Sequence, residues 1–99
     1  MKRKSEPSPL GRDDIKHQMT QIKGWRVVRN HHLEKTFKFG KFKEALDFVN
    51  LVGNLAENVG HHPDIFLSYD HVKIRLWTHS MKGLSIADFT MAAKIDKLK

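Results

Sequence analysis

Residues 42–79 read FKEALDFVNLVGNLAENV, GHHP, DIFLSYDHVKIRLWTH, and this stretch decides the fold. Its first eighteen residues repeat at helical spacing. Phe42, Ala45, Leu46, Val49 and Ala56 form one stripe, widened by Phe48, Leu51, Val52, Leu55 and Val59. That arc is broad enough to pack on a sheet and against something else. Gly53 weakens the helix, and Gly60 is placed to end it. The period then changes from helix to strand. Ile65–Tyr69 reads as a short strand. Val72–His79 reads as the clearest strand of the chain, with Val72, Ile74 and Leu76 on one face and His71, Lys73, Arg75, Trp77 and His79 on the other. A turn near Asp70 joins the two as a hairpin.

The same pattern occurs upstream. Leu10–Ile22 can form a short helix with Ile15, Met19 and Ile22 at helical spacing, ended by Gly24. Trp25–Arg29 and His32–Phe39 read as strands about a turn at Asn30-His31. Leu33, Phe37 and Phe39 share one face of the second strand, and Glu34, Thr36 and Lys38 the other. Lys35 breaks the inward series and predicts an exposed edge there. Downstream, Leu84–Asp88 opens a last helix with Ser85 and Asp88 at capping-box spacing. Ile86, Phe89 and Ala93, with Met91, Ile95 and Leu98, form its apolar face. The order α-β-β-α-β-β-α predicts an α+β domain over residues 10–99, a four-stranded antiparallel sheet with helices on one face. The other face stays open, where Trp77 and His79 point. Residues 1–9, charged and rich in serine and proline, are expected to be a disordered basic tail.

Composition narrows the chemistry. No cysteine occurs among the 99 residues, which excludes disulfides, thiolate nucleophiles and cysteine-ligated metals and fits a reducing compartment. No apolar run approaches a membrane span, and the basic start leads into Glu6-Pro7-Ser8-Pro9 rather than an apolar signal core. A soluble, cytoplasmic protein is expected. The net charge of +7 raises nucleic acid as a partner. Its distribution argues against one: Lys2, Arg3 and Lys4 lie in the tail, and Lys94, Lys97 and Lys99 at the other end. Lys73, Arg75 and Trp77 fit a basic, aromatic stripe weakly, and Glu34 and Asp70 do not fit one.

Seven histidines remain to be sorted. His17, the turn pair His31-His32, and His71 beside Asp70 are read as solvated. His61, His62 and His79 differ. Pro63 pushes His62 to extended geometry, so the pair sits on a fixed corner after the long helix. Glu57, one helical turn before His61, can orient or charge-stabilise an imidazole. A hairpin between the last two strands brings His79 toward the same corner. A lone histidine is more often a surface residue than a catalyst, but three that converge shift the balance. A metal site is the rival, since imidazole ligates zinc. Adjacent residues in an extended segment project to opposite sides, which ranks acid–base catalysis above chelation by His61 and His62.

Glu57, His61-His62-Pro63, Tyr69, His79 and Asp88, at this spacing, resemble the signature of the pterin-4a-carbinolamine dehydratases. Gly24-Trp25, Val72-x-Ile74-x-Leu76 before Thr78-His79, and Gly83-Leu84-Ser85 before Asp88 agree. The resemblance runs from Leu10 to Leu98. One departure is that animal members carry Glu-Trp after the proline where this chain has Asp64-Ile65, which leaves Trp77 as the indole available to stack on a pterin. The resemblance implies a lyase, without cofactor or metal, that dehydrates 4a-hydroxytetrahydropterin to quinonoid dihydropterin in tetrahydrobiopterin recycling. An aromatic amino acid hydroxylase would supply the substrate. It further implies that His61 and His79 act as general acids on the two faces of carbon 4a. His62 would bind and orient substrate, and Gly60, Trp77, Thr78 and Ser80 would help hold the pterin. Animal members also bind a transcription factor's dimerisation helices, so a dimerisation cofactor or coactivator is the alternative. A homodimer or homotetramer is expected, from the short chain, the wide helical arc, the resemblance, and a fourth strand able to pair along its edge with a symmetry mate.

Overall fold

The computed structural model describes residues 8–99. The elements are α1 (Arg12–Met19), β1 (Arg26–Val28), β2 (His32–Lys38), α2 (Phe42–Val59), β3 (Asp64–Leu67), β4 (His71–Leu76) and α3 (Ile86–Asp96), with a 3-10 turn at His79–Met81. The expected order and class are thus observed: three helices and one antiparallel four-stranded sheet, in the order β1-β2-β4-β3. The expected tail falls largely outside the described residues. Ser8 and Pro9 are exposed and in no regular element. Leu10 is tied down by its backbone N–H, which donates to the Leu84 carbonyl at 2.8 Å.

The alternation in β4 reports its burial directly. Val72, Ile74 and Leu76 are fully buried, and together with Leu33 and Phe37 of β2 they form the sheet's contribution to the core. Full burial of such a side chain contributes about 1.5–3 kcal/mol. Against this face α2 lays Ala45, Phe48, Val52 and Ala56, and α3 lays Phe89, Met91, Ala92 and Ile95. The helical stripe is therefore rotated from the one expected. Phe42, Leu46, Leu51 and Val59 stay exposed, and Phe48 and Val52 carry the contact.

Two strand readings are corrected. Neither β2 nor β4 is an edge. β2 pairs with β1 and with β4 (Leu33↔Leu76, Phe37↔Val72), and β4 also pairs with β3 (Ile65↔Ile74). The free edges are β1 and β3, so β4 has no edge to offer a symmetry mate. Lys35 does point inward, and its ammonium is satisfied from the far end of the chain. Nζ lies 2.8 Å from Asp96 Oδ1 and donates to the Lys23 carbonyl at 3.1 Å. It also sits over the Phe37 ring at 4.8 Å. An inward lysine thus marks an ion pair with α3 rather than an edge.

β4 also ends earlier than its alternation suggests. After Leu76 the chain bends, Thr78 bridges to Gly83, and His79 opens the 3-10 turn instead of closing the strand. The first hairpin turns at Arg29 and Asn30, both in left-handed backbone (φ 53° and 56°), one residue before the expected pair.

Candidate functional site

The corner after α2 is built by Gly60. It takes a left-handed conformation (φ 78°, ψ 26°), which costs a residue with a Cβ about 1–2 kcal/mol. The backbone N–H groups of Gly60 and His61 both return to the Ala56 carbonyl, at 2.8 and 3.3 Å. The chain is thereby turned out of the helix with His61 and His62 at a set angle, and Pro63 leads it into β3. On the other side, the loop after β4 brings Trp77, Thr78, His79 and Ser80 to the same place. Gly60, His61, His62, Trp77, Thr78, His79 and Ser80 line one cleft of about 420 Å³. A cleft of this size lies within the range of small-molecule sites.

The three imidazoles are held differently. His61 Nε2 lies 2.6 Å from Asp88 Oδ1, and the Asp88 side chain is fully buried. A carboxylate only accepts, so Nε2 carries the proton and Nδ1 is the nitrogen left for a ligand. Asp88 Oδ2 accepts from Thr78 Oγ1 at 2.8 Å and from the Ser85 backbone N–H at 2.9 Å. Asp88 therefore caps α3 and orients His61 at once. Thr78 is further tied to Ser85, hydroxyl to hydroxyl, at 2.7 Å.

Glu57 partners His62 rather than His61. Its Oε2 is 2.5 Å from His62 Nε2, and both side chains are exposed. Five residues separate them, because the left-handed Gly60 swings the chain back across the last helical turn. His79 is exposed and stacks on the Trp77 indole, with centroids 3.9 Å apart and planes at 24°. Pro63 shapes the corner but does not line the cleft.

His31 and His32, read as solvated, are half-buried. The His31 ring packs on Trp77 at 4.3 Å, and its Nδ1 lies 3.0 Å from His32 Nδ1. Burial pushes the His32 imidazole below its ordinary pKa, with His31 and then Arg75 acting in the same sense. The pairing of β2 with β4, which sets Leu33 against Leu76, is what carries this turn to Trp77. That pairing is a long-range fact that no local pattern encodes.

The pterin 4 alpha carbinolamine dehydratase family profile matches residues 8–98. The chain belongs to that family. A protein of Alkaliphilus metalliredigens that carries the provisional name pterin-4-alpha-carbinolamine dehydratase is 53% identical over 90 residues, which are 90% of this chain and 81% of that one. Among solved structures, the transcriptional coactivator/pterin dehydratase from Brucella melitensis superposes with a TM-score of 0.86 at 29% identity, covering 92% of this chain and 98% of that one. A pterin dehydratase-like protein identified as a RuBisCO assembly factor in the alpha-carboxysome gives a TM-score of 0.66 at 28% identity, over 76% of this chain and 88% of that one. Pterin dehydratase relatives thus include proteins described by roles other than catalysis. Among the described residues, no helix is long and apolar enough to cross a membrane.

Proposed function

We propose that this chain dehydrates a 4a-hydroxytetrahydropterin to the quinonoid dihydropterin and water. One observation carries the proposal: three imidazoles line a single cleft, and one of them is fixed by a buried carboxylate. In the reaction the C4a–O bond breaks, the oxygen leaves as water after gaining a proton, and the ring gives up a proton from N5 as the C4a=N5 bond forms. Hydroxide leaves poorly without that proton. Imidazole suits both transfers because its ordinary pKa lies near neutrality. In the acid role His61 carries a proton on both ring nitrogens, Nε2–H bonded to Asp88 and Nδ1–H presented to substrate, and it and His79 act toward the two faces of carbon 4a. His62 and the backbone from Trp77 to Ser80 hold the ring; the Trp77 indole lines the cleft but is already stacked with His79 and His31, so it is not a free platform for the pterin. Each positioned acid or base contributes about 10²–10⁴-fold.

The decisive experiment adds the protein to chemically generated 4a-hydroxytetrahydropterin and follows loss of its absorbance. Acceleration proportional to protein concentration supports the activity. A rate equal to buffer would leave the alternative, a coactivator or assembly factor working through protein contacts. An aromatic amino acid hydroxylase is the source of substrate that this chemistry calls for.

We also propose a homo-oligomer, either dimer or tetramer. Phe42 and Leu46 of α2 and Leu67 and Tyr69 beside β3 are exposed, and the Phe42 and Tyr69 rings stack at 6.4 Å. Leu67 lies on β3, whose other edge is unpaired. A second copy would cover both the apolar residues and the edge.

A further inference from the structure

Two of the three cleft imidazoles are held by carboxylates, His61 by Asp88 and His62 by Glu57. Among the described residues His79 has no such partner. It starts a 3-10 turn, is exposed, and leans on a ring, the Trp77 indole. That indole bridges to a second imidazole, His31, at 4.3 Å and 44°. His31 is itself fixed. Its backbone N–H donates to the Val28 carbonyl at 2.8 Å, inside a turn set by Arg29 and Asn30. Its Nδ1 lies 3.0 Å from His32 Nδ1. Such a contact needs one donor and one acceptor. Burial disfavours the charged form of His32, and either ring can be the donor, according to which nitrogen carries the proton.

The geometry points to His31 as a positioning residue for His79, acting through Trp77. His31 is held by the β1–β2 turn and by His32, Trp77 is held by His31, and His79 is held by Trp77. This role rests on His79 serving as a proton donor in the proposed dehydration. A donor must sit within hydrogen-bond reach of the leaving oxygen, and an exposed imidazole with no carboxylate partner among the described residues gains that constraint from stacking. His32, beside this row, feels the charges of His31, Arg75, Glu34 and Arg29 from the hairpin and sheet. Across the cleft lie His61 with Asp88 and His62 with Glu57.

The test compares the full chain with His31→Gln, which removes the ring, and His31→Phe, which keeps a flat one. Two readouts are taken: kcat and KM for dehydration, and the NMR positions of the His79 ring protons. In the wild-type chain the indole ring current shifts those protons upfield. His31→Gln should reduce that shift and lower kcat about three- to tenfold, the range of one aromatic contact, with a smaller change in KM. His31→Phe should restore both. His31→Leu serves as the ringless variant if His31→Gln melts below the assay temperature. An unchanged His79 shift and kcat in the ringless variant, or equal losses in the glutamine and phenylalanine variants, would overturn the role. A wild-type chain inactive on the carbinolamine whose His79 shift still collapses in His31→Gln would reject the dehydratase activity and uphold the positioning.

Discussion

Asp88→Asn separates the two tasks that one carboxylate performs. The side chain is fully buried and accepts three hydrogen bonds, from His61 Nε2, Thr78 Oγ1 and the Ser85 N–H. Asparagine keeps one oxygen, enough for Thr78 and Ser85. Its amide then faces His61 as a donor, which forces the proton of a neutral His61 onto Nδ1. An imidazolium would meet the amide donor to donor. The charge-assisted bond that is lost is worth about 1.5–3 kcal/mol. At 1.36 kcal/mol per decade of rate, the dehydration should slow about 10- to 150-fold if that bond holds the acid in place. The stability cost should be smaller, about 1–2 kcal/mol, because the cap survives. In a domain of this size that is a fall in Tm of about 4–16 °C. Asp88→Ala, which strands all three donors, should cost more than Asp88→Asn in the same melt. The measurements are carbinolamine decay well below the transition and thermal melting by circular dichroism. A full rate in Asp88→Asn with only the stability affected would refute the orienting role and reduce Asp88 to a helix cap.

His61→Ala and His79→Ala should each slow dehydration by about 100-fold or more with the fold retained, whereas His62→Ala should raise KM more than it lowers kcat. Stopped-flow traces on both 4a epimers check this, and full activity of either acid variant on both epimers would remove its assignment. Glu34 is nearly buried, and its carboxyl is held at about 2, below the ordinary 4.5, first by the Arg26 hydrogen bond and then by those with Arg75 and the charge of Lys73, against a burial cost. A carboxyl depressed in the folded state stabilises fully above the ordinary value and loses that contribution as pH falls toward 2. Denaturant titrations from pH 6 to 2 should therefore show the wild-type chain losing about 2 kcal/mol more than Glu34→Gln, after allowance for the exposed Arg26 head. Parallel curves would contradict it. Dialysis against a strong chelator should leave dehydration unchanged, and a loss restored by zinc would move the site into the metal class. Light scattering at micromolar concentration should give a multiple of the 11.5 kDa chain mass. A persistent single-chain mass would require another explanation for exposed Phe42, Leu46 and Tyr69.

What was legible in the sequence is what is encoded locally. The helix Phe42–Val59, the left-handed Gly60 and the buried face of β4 follow from spacing and residue type, because period and the absence of a Cβ act within a few residues. The convergence of His79 on the His61-His62 corner was also legible, since a hairpin fixes which strand ends meet. Strand order was not. Lys35 read as an edge marker because its partner, Asp96, is 61 residues away. Glu57 does hold an imidazole, but which one was not legible, because helical spacing stops at Gly60, where the left-handed backbone redirects the chain and brings His62 to it.

The histidines missed by pattern reveal how Trp77, which lines the cleft, is backed by the first hairpin. A hairpin turn looks solvated when taken alone, and His31-His32 would be so if β2 lay at the sheet edge. Because β4 pairs between β2 and β3, the turn of the first hairpin and the end of β4 lie side by side. The first hairpin thus delivers His31 to Trp77, while α2 and β3 deliver His61 and His62 from the opposite side. Swapping strands would break this arrangement without changing any local pattern. The central position of β4 is therefore the link between fold and chemistry. It carries the core on Val72, Ile74 and Leu76, and its exit at Trp77 joins the cleft lined by His61, His62 and His79 to the His31 ring.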